Sequence, residues 1–80
     1  MADIYLRNAI DTYIKDMIRQ VEYAYPDEIM RSVRKRGPDC DAADVQEALK
    51  RLLDEGFLQL YHGYYALGSM SRRELRQWCD

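Results

Sequence analysis

The chain has 80 residues and a formal net charge of −2, with 48% apolar and 32% charged residues. That is globular composition, enough for one small domain, and it argues against disorder. No apolar run approaches the ~20 residues that span a bilayer, and Met1-Ala2-Asp3 opens acidic rather than like a secretory leader, so a cytoplasmic location with no membrane partner is expected. Cys40 and Cys79 match no redox or zinc spacing, and His62 stands alone. Two reduced thiols are therefore expected, with no metal site and no cofactor.

In chain order, residues 3–22 read as a first helix. Ile10, Tyr13, Ile14, Met17, Ile18 and Val21 fall within an arc of roughly 140° at about 100° per residue. Leu6 lies on that arc and Tyr5 nearly opposite. The arc is wider than packing on one partner needs. It suits either a fuller core or a dimer seam on this helix. Glu22-Tyr23-Ala24-Tyr25 is too short for more than a single strand or bridge, and it ends at Pro26, which pushes its predecessor toward extended geometry. Pro26 fits the first position of a second helix, with Asp27 and Glu28 near the positive end of its dipole. Ile29, Met30 and Val33 give this helix an apolar face. Arg31, Arg34 and Lys35 cluster opposite, and Gly37-Pro38 stops it.

The stretch DAADVQEALKRLLDEGFLQLYHGYYAL, from Asp41 to Leu67, organises the rest. Val45, Ala48, Leu49, Leu52 and Leu53 share one face of a third helix. Asp41 is its N-cap and Asp44 completes a shortened capping box, with Cys40 and Val45 placed as a hydrophobic staple. Gly56 ends it. The period then changes: Phe57 to Tyr61 and Tyr64 to Leu67 flank His62-Gly63, a two-residue connection that suits a primed hairpin turn. This register pairs Tyr61 with Tyr64, Leu60 with Tyr65 and Leu58 with Leu67. Leu58, Leu60, Tyr65 and Leu67 are then expected to face the core, with Tyr61, His62 and Tyr64 at an exposed tip. After a joint at Gly68-Ser69-Met70, Ser71 and Glu74 cap a last helix on which Leu75, Trp78 and Cys79 share a side. That helix either docks on the domain or serves a second subunit, so Tyr5, Ile18, Leu75 and Trp78 are the dimerisation candidates.

Charge is distributed unevenly along the chain. Residues 31–38 carry Arg31, Arg34, Lys35 and Arg36 with no acid. Residues 39–55 carry Asp39, Asp41, Asp44, Glu47, Asp54 and Glu55 against Lys50 and Arg51. The first stretch is thus at +4 and the second at −4.

Helix, short strand, helix, turn, helix and hairpin is the order of a winged helix-turn-helix domain. The pattern Val-x-x-Ala-Leu-x-x-Leu-x-x-x-Gly-hydrophobic, met here by Val45, Ala48, Leu49, Leu52, Gly56 and Phe57, resembles the third helix and wing of that superfamily. The resemblance covers roughly residues 3–67. It implies a mainly α fold with a small β-hairpin (α+β): a three-helix core plus wing over residues 3–67 and a C-terminal helix over 69–80, one domain in all. It also implies double-stranded DNA as partner, with the third helix in the major groove, the second across the backbone and the wing alongside. Under that implication Arg31, Arg34, Lys35 and Arg51 take phosphates. Ala43, Gln46, Glu47 and Lys50 meet base edges, while Tyr61, His62 and Tyr64 form the wing. The wing has no Arg or Lys, and Asp44 and Glu47 border the reading face.

The expected function is therefore a small DNA-binding regulator acting as a homodimer, which doubles the phosphate contacts that one subunit with few exposed cations supplies. The competing expectation is a protein–protein interaction module that uses the acidic third helix and aromatic wing tip. Catalysis is not expected. The chain offers no nucleophile–base pair, phosphate-cradling glycine loop or metal cluster, and His62 reads as a turn residue that tolerates positive φ.

Overall fold

Apolar residues four apart on the first helix set the interior. The computed structural model describes residues 4–76, apart from the side chains of Arg72 and Arg76. In it α1 runs Ile4–Val21 and buries Ile10, Ile14 and Ile18. β1 is Tyr23–Ala24, α2 is Pro26–Arg36 and α3 is Ala42–Asp54. The hairpin strands are β2, Leu58–Tyr61, and β3, Tyr64–Leu67, and α4 covers Arg72–Arg76. The described residues are thus mainly helical, with one small antiparallel sheet in the order β1-β3-β2.

Each of the first three helices begins or ends for a local reason. Glu22 closes α1 in the left-handed region at φ 71°, its N–H donating to the Ile18 carbonyl at 2.7 Å. Tyr25, extended before Pro26, precedes α2, and its N–H donates to the Glu28 carboxylate at 3.3 Å. The Asp41 N–H likewise donates to Asp44 Oδ2 at 3.1 Å, the reciprocal arm of the capping box at α3. At the other end of α3, Gly56 has φ 82°. Its N–H reaches the Leu53 carbonyl while that of Phe57 reaches Leu52, the paired bonds of a Schellman stop.

Ile29 and Val33 of α2, Val45, Ala48, Leu49 and Leu52 of α3, Ala24 and Leu58 join the three isoleucines in one core. Fully burying a Val, Leu or Ile side chain stabilises by about 1.5–3 kcal/mol. Tyr13 ties α1 to α2, its hydroxyl lying 2.8 Å from Ser32 Oγ. The hairpin turns at His62 (φ 51°) and Gly63 (φ 86°), two positive φ values as a type I′ turn requires. Its register pairs Leu58 with Leu67, Leu60 with Tyr65 and Tyr61 with Tyr64, and β1 adds Tyr23 opposite Ala66.

The register is as expected from the sequence, but the coverage of the sheet is not. The expectation that Leu60 faces the core is corrected: it is 57% exposed on the edge strand β2, while its cross-strand partner Tyr65, on the central strand β3, packs against the helical core. Tyr64 is corrected in the opposite sense. Only 2% exposed, it lies with Ala66 and Leu75 in a second apolar cluster on the other face of the sheet, flanked by Tyr23, Tyr61 and Met70. Gln59 braces that side, its amide donating to the carbonyls of Leu67 and Met70, both at 2.8 Å. At the hairpin base Gly68 donates to the Phe57 carbonyl at 2.7 Å, and a Cβ there would land on the Gly56 carbonyl oxygen. This is close backbone approach, which glycine alone permits.

Candidate functional site

Two outward helix faces carry most of the residues singled out from the sequence. On α2, Ile29 and Val33 turn inward, and Arg31, Arg34 and Lys35 project from the opposite side. All three are exposed, and so is Arg36 at the helix end. None of the four makes an ion pair among the described residues. Their position near the C-terminus of α2 is favourable to the helix dipole. Shallow grooves flank the ridge, one shared by Glu28, Arg31, Ser32, Lys35 and Arg36, the other by Asp27, Met30, Arg31, Arg34 and Lys35. Arg36 extends the ridge beyond the three α2 cations assigned a phosphate contact from the sequence. It also lines an open groove of about 480 Å³ against Tyr5, Asn8 and Thr12 of α1.

On α3, burial of Val45, Ala48, Leu49 and Leu52 leaves Ala43, Gln46, Glu47, Lys50 and Asp54 exposed in a row. Arg51 does not join the cations of α2, and its assignment to phosphate is corrected. Its Nη2 donates to Asp11 Oδ1 of α1 at 2.9 Å, with the two side chains only 25% and 19% exposed. Its Nε is buried without a partner among the described residues. The pair sits at the edge of the α1–α3 contact, where partial desolvation strengthens the attraction and holds the guanidinium inward. With Arg51 withdrawn, Lys50 is the one exposed cation of the 39–55 stretch. It shares that stretch with the exposed acids Asp39, Asp41, Glu47, Asp54 and Glu55 and the half-buried Asp44. No local pattern marks Asp11 as the partner of Arg51, since the two residues lie 40 positions apart.

α2 and α3 pack on one another. Packed helix axes lie about 8–10 Å apart, comparable to the ~8 Å screening length at physiological ionic strength.

Around the hairpin, His62 is exposed and Tyr61 half-buried, their rings edge-on at 4.2 Å between centroids. Tyr64 is not a surface residue at all; its ring packs on Tyr23 at 5.0 Å and Tyr25 at 5.6 Å. Of the dimerisation candidates, Ile18 and Leu75 are corrected, each fully buried within its own chain. Ile18 is taken up by the helical core and Leu75 by the sheet's second face, so neither can meet a second subunit. Tyr5 is 87% exposed. Trp78 lies outside the described residues.

The Cys40 thiol, half-buried before α3, has its pKa pushed up, first by burial and then by Asp44, Asp39 and Asp41. This lowers the thiolate fraction on which its reactivity depends. Among the described residues no group of three or more His, Cys, Asp or Glu is placed to hold a metal, and no helix is long and apolar enough to cross a membrane. Comparison with family models, with curated proteins and with solved structures returns no match.

Proposed function

We propose that the chain is a winged helix-turn-helix protein that binds double-stranded DNA as a homodimer and serves in regulation. The observation that carries this reading is the ridge of Arg31, Arg34, Lys35 and Arg36, exposed and outside any ion pair among the described residues. The element order and the β1-β3-β2 sheet support it, as does the exposure of Ala43, Gln46, Glu47 and Lys50 on the next helix. In this scheme the α2 cations take phosphates and set the register. Gln46 then bonds adenine, Lys50 bonds guanine, Glu47 accepts from cytosine N4, and Ala43 lies against a thymine methyl. The acids of α3 oppose non-specific contact, so affinity rests on two subunits acting together.

A salt series tests this. Retention of duplex DNA should fall with a log–log slope of about −0.9 per phosphate contacted. Arg31→Ala and Arg34→Ala should each make the slope shallower by about 2, one phosphate contact being lost from each subunit of the homodimer. No retention at low salt ends the proposal.

A second reading, a protein-interaction module, is favoured by one observation: with Arg51 held by Asp11, the exposed surface of α3 is more acidic than its sequence suggests. Loss of a protein partner in Tyr61→Ala and Glu47→Ala, with Arg31→Ala and Arg34→Ala unaffected, would favour it. Tyr64→Ala is unsuited to the comparison, since it opens the second apolar cluster.

A further inference from the structure

The cations of α2 and the acids of α3 belong to consecutive helices that pack together and bury their apolar sides in the same core. Arg31, Arg34, Lys35 and Arg36 on one helix, and Glu47 and Asp54 on the other, are all exposed, yet no ion pair joins the two sets among the described residues. The surface therefore carries a mainly positive half, with Asp27 and Glu28 at its margin, beside a mainly negative half in which Lys50 stands between Glu47 and Asp54, and no ion pair joins the two halves among the described residues. A patch of that kind complements itself. A two-fold rotation about an axis between the halves brings each positive half onto the negative half of the other copy, and the contact closes after two subunits.

We propose that two copies of this chain associate through this surface, the α2 cations of each seated against the α3 acids of the other. The occupant is a second copy because one surface supplies both signs, and because two apolar alternatives are taken: Ile18 and Leu75 are buried within their own chain. The association is weak, fast and salt-sensitive, since exposed ion pairs are screened and individually slight. It goes beyond the DNA-binding proposal and is a different pairing from the DNA-bound homodimer, because it covers the α2 cations that would take phosphates. Where both operate, this dimer and a polyanion compete for the same guanidinium groups.

Sedimentation equilibrium of the full chain tests the proposal. At low salt the mean mass should rise with concentration from the 9.5 kDa of one chain toward twice that value, and it should return to one chain at high salt. A Glu47→Arg/Asp54→Arg variant makes both halves positive, and an Arg31→Glu/Arg34→Glu variant weakens or reverses the positive half. Each alone should remain monomeric at low salt, while an equimolar mixture should recover the dimer. All four positions are exposed, so the fold should survive, which far-ultraviolet circular dichroism checks. Wild type that stays monomeric at low salt overturns the proposal, as does a mixture that stays monomeric. A dimer that persists in both variants and is lost in Tyr5→Glu also overturns it, by moving the seam to α1. None of these readouts involves DNA, so this proposal and the DNA reading can fail separately.

Discussion

The outward faces of α2 and α3 are built by the same rule and end with opposite character. Each helix turns an aliphatic side into one core, leaving a polar row opposite. On α2 the row repeats one sign: Arg31 stands three residues from Arg34 and four from Lys35, spacings at which like charges repel. On α3 the row alternates, Lys50 lying three residues after Glu47 and four before Asp54, so its neighbours attract. Among themselves the α3 neighbours attract and the α2 cations repel, a repulsion that Asp27 and Glu28, four and three residues before Arg31, and the helix dipole offset. A cluster of one sign that stays exposed and outside any ion pair among the described residues makes α2 the more informative face. A charge tally must also wait for internal pairs: Arg51 belongs to Asp11 and not to the surface.

The largest effect that sharpens this contrast lies beneath the two rows. Leu49→Ala should lose about 2–5 kcal/mol in chemical unfolding, while Glu47→Ala, on the outer row, should stay within about 0.5 kcal/mol. Comparable losses at both positions would mean that the outer row supports the fold. Next, Asp11→Asn removes the charge that holds Arg51, and should cost about 1–2 kcal/mol by leaving a part-buried guanidinium without its ion pair. Arg51→Met should cost less, because it leaves no buried cation behind. The smallest effect bears most directly on the comparison. Lys50→Glu turns its attractions to Glu47 and Asp54 into repulsions and should destabilise by about 0.2–0.5 kcal/mol per pair, whereas Arg31→Glu gains Arg34 and Lys35 but loses Asp27 and Glu28 and should leave stability nearly unchanged. Thermal unfolding at low salt reads both changes, and the opposite order would contradict the distinction between the rows.

Much of the fold was legible because its signals are local. The Asp41–Asp44 cap, the glycine stop at Gly56 and the His62-Gly63 turn each depend on a few adjacent residues, and the hairpin register follows from the turn. What could not be read was which side of the sheet is covered. β2 and β3 carry apolar residues on both faces, Leu58, Leu60, Tyr65 and Leu67 on one and Tyr61, Tyr64 and Ala66 on the other, so alternation does not select a single buried side. The answer came from Leu75, beyond the hairpin, which packs with Tyr64 and Ala66. On the candidate site, the exposure of Ala43, Gln46, Glu47 and Lys50 followed from helical periodicity. The withdrawal of Arg51 depends on a residue in another helix. Ile18 reads equally well as core or seam, because periodicity marks an apolar stripe without saying what covers it.

Cover on both faces of the sheet has a consequence for anything that meets the His62-Gly63 turn. The helical core backs one side, the Tyr64–Leu75 cluster backs the other, and the Gly68–Phe57 hydrogen bond pins the base. The tip is thus a preorganised ledge, and a molecule landing there need not immobilise a loose loop first. Tight or poor fit at that ledge is decided by its existing shape, with little room for mutual adjustment.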